Sequence, residues 1–197
     1  MSKLLIVFIL CLHCFCAFSQ NTVGKVSYEE NLSFERKITR YWSFYFDKEH
    51  SVFHQDSTSQ KKRQPRENEV VVQSDTERFI ISNSENKELI EQRIVAFEPY
   101  QVSEPFPQIK WQLSSETKKV GGFLCQKATG AFRGRSYTIW FTTEIPIKAA
   151  PWKLFGAPGL VLEFYDDSRQ IYCVATHIEL SDKYNLPSII GDIPKKG

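Results

Sequence analysis

The sequence lacks the features of a nucleic-acid-binding or membrane-spanning protein. Its 197 residues contain 25 Lys and Arg against 23 Asp and Glu, a balance too even for non-specific nucleic-acid binding. No apolar run reaches the roughly 20 residues that a spanning helix needs. No segment combines the caps, length and 3.6-residue stripe of a helix. We therefore expect no nucleic-acid partner, and no transmembrane segment once a signal peptide is removed.

Aromatic residues are abundant instead, with 15 Phe, 8 Tyr and 4 Trp against one Met. This composition favours strands. Alternating patterns predict an all-β single domain, an antiparallel meander of about eight to ten strands that forms a curved sheet or a partly open barrel. A helix is the alternative at residues 85–97, where we favour a strand. The predicted strands are residues 39–47, 51–55, 70–73, 78–82, 85–97, 110–118, 122–131, 136–142, 160–165 and 170–180.

The first residues have the order of a secretory signal peptide. Lys3 precedes an apolar run at residues 4–12, and Ala17-Phe-Ser ends the segment before Gln20. We predict that residues 1–19 are removed, and that residues 20–197 form the domain of a protein that is secreted, periplasmic or held in the cell envelope. Lipid attachment to an early cysteine is the weaker alternative, because Cys14 and Cys16 follow His and Phe rather than small residues.

Removal of the signal leaves two cysteines, Cys125 and Cys173. An even pair in an oxidising compartment predicts a disulfide between them. Two separately buried thiols are the alternative.

The distinctive segment is an apolar, proline-rich loop at residues 143–158. A long loop of this kind must pack somewhere, so it either plugs the open end of the sheet or presents Trp152 and Phe155 to a ligand. Pro158 and Gly159 predict a type II turn at its end. The residues expected at a binding site are Trp140, Trp152, Phe155, Pro158 and Gly159.

The residues around this loop resemble a known family. Residues 137–146 and 151–163, with Gly121-Gly-Phe-Leu-Cys125 and Phe132-Arg-Gly-Arg135 upstream, are similar to the GLPGLI family of secreted Bacteroidota proteins. The resemblance covers roughly residues 111–166. Ala157 and Val161 stand where the name motif has Leu and Ile. The resemblance implies a cell-envelope protein of unassigned function and carries over no catalytic residue.

The sequence contains no recognised catalytic motif. It also contains no pair of candidate metal ligands that are close enough on a strand to bind one ion. Cys173 and His177 are four residues apart, about 13 Å on a strand, and His50 and His54 share an ion only on a helical turn. We therefore predict no catalytic residue, no metal site and no cofactor. The predicted function is that of a non-catalytic protein, which binds an envelope protein or a lipophilic molecule through the loop; the alternative is a metal-binding protein or a hydrolase.

Overall fold

A computed structural model describes residues 23–55, 78–95 and 98–181 of the chain. The predicted signal peptide, and the strand predicted at residues 70–73, lie outside these residues. The strands are β1 (Gly24–Ser33), β2 (Lys37–Phe46), β3 (His50–Gln55), β4 (Phe79–Asn83), β5 (Glu88–Val95), β6 (Glu98–Pro105), β7 (Gln112–Val120), β8 (Phe123–Phe132), β9 (Arg135–Thr142), β10 (Leu160–Asp166) and β11 (Ile171–Leu180).

All eleven strands form one antiparallel sheet in the order β6-β5-β4-β3-β2-β1-β11-β10-β9-β8-β7. Each strand pairs with its neighbour in sequence except at the centre, where β1 pairs with β11 and no ladder joins β6 to β7. The sheet is not closed into a barrel, and its edges are β6 and β7. The prediction of an all-β antiparallel fold is confirmed. Within the described ranges, no helix is long and apolar enough to cross a bilayer.

The sequence pattern does not predict β1 and β6, and in each strand the failure has a physical reason. β6 contains Pro99 and Pro105, which lack the N–H that a central strand needs. It lies at the sheet edge, where proline is tolerated. β1 has a short alternation of Val26 and Tyr28 followed by polar residues. The segment that was ambiguous between helix and strand contains β5, as favoured.

The main core covers one face of the sheet. Val26 pairs with Phe44, and Tyr28 with Trp42, so the side chains of β1 and β2 align on that face. Tyr28 is fully buried, and its hydroxyl donates to the carbonyl oxygen of Val161 at 2.6 Å. The core face thus extends from β1 to β10.

Candidate functional site

The loop between β9 and β10 packs into the core. Ile145 and Leu154 are fully buried, and Phe155 stacks on Phe106 with ring centroids 4.5 Å apart. The indole Nε1 of Trp111 donates to the carbonyl oxygen of Phe155 at 2.9 Å. Most of the loop therefore fills space against the sheet, as one of the two sequence interpretations expected.

Lys153 ties this loop to the other end of the sheet. Its side chain is 1% exposed, and its Nζ donates to Glu91 Oε2 on β5 at 2.6 Å and to Glu104 on β6. Burial alone would raise the pKa of Glu91, but the hydrogen bonds from Lys153 and Arg93 lower it below its usual value. The loop therefore spans the concave side of the sheet and joins two distant parts of it.

Trp152, next to Lys153, lines a cavity of about 460 Å³ on this concave side. Its ring packs against Phe132 and Tyr137, at centroid distances of 5.6 and 5.8 Å. Its backbone has a φ of 55°, a left-handed conformation that a bulky residue adopts at a cost. The loop thus holds the Trp152 ring at the wall of the cavity.

The floor of the cavity is formed by side chains of β1 and β2 on the same face of the sheet as the core, beyond the buried pair of Tyr28 and Trp42. Glu30 pairs with Arg40 two residues beyond the Tyr28 and Trp42 pair, and the strand period of two keeps them on the same face. Trp42 stacks on Phe53 with ring centroids 4.4 Å apart and an interplanar angle of 9°. The remaining apolar lining is Phe79 and Ile80.

Glu30 is the carboxylate of this floor, and its side chain is only 13% exposed. Its Oε2 accepts a hydrogen bond from Trp42 Nε1 at 3.0 Å and lies 3.6 Å from Arg40 Nη1. Burial raises the pKa of Glu30, and the nearby Arg40 and the Trp42 hydrogen bond offset only part of this effect. Glu30 and Glu91, which share the cavity lining, therefore have pKa values shifted in opposite directions.

Arginines form the polar part of the lining. They are Arg40, Arg78, Arg93 and Arg133, from four different segments of the chain. Arg133 reaches Glu104 at 3.0 Å, and Arg93 reaches Glu91 at 2.7 Å. The cavity therefore combines aromatic surface, two carboxylates and several guanidinium donors, a set that suits a polar ligand with apolar faces.

A second cavity, of about 400 Å³, lies on the other side of the loop. Phe155 lines it together with Phe106, Ile109 and Gly156. Of the five residues predicted for a binding site, Trp152 and Phe155 therefore line different cavities.

The other three residues predicted for a binding site are Trp140, Pro158 and Gly159, and they line neither of these two cavities. Trp140 is buried outside the main cavity, with Lys118 Nζ 4.4 Å from its ring centroid. Pro158 is exposed and Gly159 is buried. The predicted type II turn is wrong, because Gly159 does not have a positive φ. Its small size is required instead, since a Cβ there would lie 2.1 Å from the carbonyl oxygen of Thr142.

The predicted disulfide is also wrong. Cys125 and Cys173 are both buried and both free. Cys125 lies on β8 and Cys173 on β11, with β9 and β10 between them in the sheet. Three strand spacings of about 4.8 Å exceed the Cα separation that a disulfide bridges. The alternative, two separately buried thiols, describes the structure.

The candidate metal ligands of the sequence are spread along strands. His50 and His54 lie on β3, and Cys173 and His177 lie on β11. Within the described residues, no group of three or more His, Cys, Asp or Glu side chains is placed to hold an ion.

Sequence reasoning missed most of the residues that line the cavity. The lining residues Glu30, Arg40, Glu91 and Arg93 come from β1, β2 and β5, and no motif joins them. The available signal was Lys153, a lysine inside an apolar loop, which needs a buried partner.

Comparisons with known proteins place the chain in a different group from the one expected. A family described as "N-glycanase peptide, N-terminal domain" matches residues 26–189. Two solved structures of PNGF-II, in space groups C2 and P21, have TM-scores of 0.64 and 0.62, both at 16% identity. They cover 89% and 85% of this chain, but this chain covers only 30% and 29% of theirs. No curated protein matches.

These findings correct two predictions. The resemblance to the GLPGLI family is wrong, since the matching family is another one and its match spans more than half of the chain. The prediction of a non-catalytic protein binding through loop 143–158 is wrong as well, because a family named for a glycanase agrees better with the alternative, a hydrolase. Secretion, the broad part of the predicted location, agrees with this family.

Proposed function

The chain belongs to the family of N-glycanase peptide N-terminal domains, and from this membership we propose that it acts in the hydrolysis of N-linked glycans, its main cavity holding the carbohydrate. Membership of the family supports the hydrolysis of N-linked glycans. The aromatic residues Trp42 and Trp152 in the lining support the main cavity as the site that holds the carbohydrate. The chain spans about 30% of the PNGF-II chains it matches, so the activity of the intact protein is part of the proposal.

The chemistry of the cavity supports a sugar as its occupant. A pyranose has apolar C–H faces, which aromatic rings cover, and hydroxyl groups at its edge, which need both donors and acceptors. Trp152 supplies an aromatic wall, Glu30 an acceptor, and the arginines a set of donors. The cavity volume of about 460 Å³ lies within the range of small-ligand sites.

Glu30 gives the cavity a candidate group for proton transfer. A carboxyl whose pKa is raised by burial retains its proton closer to neutral pH, while a second carboxyl with a lowered pKa stays ionised. Glu30 and Glu91 have these two properties. In the proposed function, a water molecule attacks the carbon of the C–N bond that links the glycan to the peptide, and Glu91, which Lys153 and Arg93 keep charged, accepts the proton that the water loses. The C–N bond breaks as Glu30 donates its proton to the departing nitrogen.

The location follows from the substrate. N-linked glycans occur on surface loops of exported proteins. We propose that the chain meets them outside the cell, with the periplasm and the cell envelope as the other locations. A glycosylated protein then replaces the lipophilic molecule as the expected partner, and an envelope protein that carries such a glycan remains compatible.

The experiment incubates the intact protein with an N-glycosylated peptide and follows glycan release by mass spectrometry. Glu30→Gln keeps an acceptor for Trp42 Nε1 but cannot donate a proton as a carboxyl does, so kcat is expected to fall about 100-fold with KM nearly unchanged. Glu116→Gln is the matched control, because Glu116 is exposed on β7 and its loss should leave the rate unchanged. Absence of release by the wild-type protein overturns the function, and an unchanged kcat in Glu30→Gln overturns the role of Glu30.

A further inference from the structure

Positive charge exceeds negative charge in the lining of the main cavity. Four arginines line it, Arg40, Arg78, Arg93 and Arg133, against the two carboxylates Glu30 and Glu91. The difference among the described residues that line the cavity, four minus two, is two positive charges when Glu30 is ionised, and it is three when Glu30 holds the proton that the proposed function requires.

The described residues that contact this lining do not remove the excess. Glu104 pairs with Arg133 and adds a third carboxylate. Lys153, however, is bound by both Glu104 and Glu91 and adds a fifth cation. Five cations then face three carboxyl groups, and the excess is unchanged.

Several of these guanidinium groups have more N–H donors than their contacts with the described carboxylates use. Arg40 Nη1 lies 3.6 Å from Glu30 Oε2, which is longer than the 2.7 to 2.9 Å of a charge-assisted hydrogen bond. The side chains of Arg93 and Arg133 are 41% and 46% exposed. A guanidinium has five N–H donors, and one carboxylate contact uses at most two of them. Donors for an incoming anion are therefore present on several sides of the cavity.

We infer that this cavity selects glycans that carry an acidic sugar, whose carboxylate or sulfate is held by Arg40 and Arg78 while Trp152 covers the sugar ring. The inference rests on the proposed function and names its substrate class. The planar fork of arginine fits the two oxygens of a carboxylate or a sulfate, which a neutral sugar lacks. Arg40 lies 3.6 Å from Glu30, and Arg78 lines the same cavity, so one carboxyl of the lining lies beside two cations.

Binding of three N-glycosylated peptides with one common core tests the inference. The first glycan ends in sialic acid, the second has the sialic acid removed, and the third carries a sulfate. Isothermal titration with the intact protein at low salt is expected to show about tenfold tighter binding of the acidic glycans than of the neutral one. The acidic peptide that binds more tightly shows whether the cavity prefers a carboxylate or a sulfate. Added salt should reduce the preference, because it screens exposed charges.

Variants show whether the arginines provide the preference. Arg78→Gln and Arg40→Gln should each weaken the binding of the acidic glycans several-fold more than they weaken the binding of the neutral glycan. Arg78 is exposed, so its variant should fold even where Arg40→Gln does not. Lys119→Gln is the matched control, since it removes one charge from the exposed part of β7.

The possible results separate this inference from the proposed function. Equal affinity of the wild-type protein for acidic and neutral glycans overturns the inference, and the proposed function stands if glycan is still released. Equal weakening of all three peptides by Arg78→Gln also overturns it. Failure to bind or cleave any of the peptides overturns both.

Discussion

Lys153 Nζ lies 2.6 Å from Glu91 Oε2, although the two residues come from opposite parts of the sheet. Lys153 belongs to the loop that connects β9 and β10, and Glu91 is on β5. The strands β4, β3, β2, β1 and β11 separate β5 from β10 in the sheet. The contact is made across the concave side of the sheet, so the loop reaches from β9 and β10 to β5.

Replacing Lys153 should destabilise the protein strongly. Lys153→Met removes the cation that Glu91 and Glu104 share, and breaking a buried ion pair costs about 3 kcal/mol or more. Urea denaturation measures the loss of unfolding free energy. Lys148→Met is the control, because Lys148 is an exposed lysine of the same loop and its change should stay within about 0.5 kcal/mol. Equal effects of the two variants would show that the buried contact adds nothing.

Gly159 should tolerate no side chain. In Gly159→Ala the Cβ would meet the carbonyl oxygen of Thr142, to whose strand β10 pairs at Leu160. Because the carbonyl that the Cβ would meet belongs to the backbone and cannot rotate away as a side chain can, the ladder must shift, and we expect a cost of about 2 kcal/mol or more. Thermal denaturation measures this cost, and Pro158→Ala at the adjacent exposed position should have a much smaller effect. A melting temperature equal to that of the wild type contradicts the close approach.

Asp166 should make the protein more stable at neutral than at acid pH. Burial alone would raise its pKa, but hydrogen bonds from Ser168, from the Ile171 amide and from Arg135 lower it. A carboxyl with a lowered pKa stabilises the fold above its usual pKa, and this contribution is lost as the pH falls through the lowered value.

Asp166→Asn should therefore cost about 2 kcal/mol at pH 7 and much less near pH 2. Urea denaturation at both pH values measures the difference, and Asp167→Asn, at the neighbouring exposed position, is the control. A cost that does not change with pH would show that the charge of Asp166 is not involved.

Cys125 and Cys173 should be present as thiols and should not react in the folded protein. Burial raises the pKa of Cys125 to about 11 and that of Cys173 well above its usual value, so little thiolate forms at pH 8. Iodoacetamide at pH 8 should leave both unmodified in the native protein and modify both in denaturant without a reductant. Peptide mass spectrometry identifies the modified cysteines. If the two cysteines were modified only after a reductant is added, the result would support the predicted disulfide and contradict the free thiols.

The sequence predicts the strands better than it predicts the site. The residue pattern of a single strand is local, so β2, β3, β8 and β10 are recognised from the sequence directly. The pairing of β1 with β11 joins residues such as Tyr28 and Ala175, and no local pattern contains that information. The disulfide prediction failed for the same reason, since counting cysteines does not reveal which strands separate them.

The cavity depends on side chains that are far apart in the chain. Glu30 and Glu91 become neighbours of Trp152 only through the strand order and the path of the loop. The loop itself was recognised from its apolar character, which is a local property. Gly159 was recognised as necessary, but the reason was different, because the close approach to Thr142 belongs to the folded sheet.

The two edges of the open sheet have one further consequence, for association between molecules. Edge strands offer unpaired N–H and C=O groups to other chains, a common route to aggregation. On β6, Pro99 and Pro105 remove donors, and on β7 the pairing with β8 is irregular between Leu113 and Thr117, with Lys118 and Lys119 following. Neither edge of the described sheet is a regular template, so both edges disfavour pairing with a strand of a neighbouring molecule.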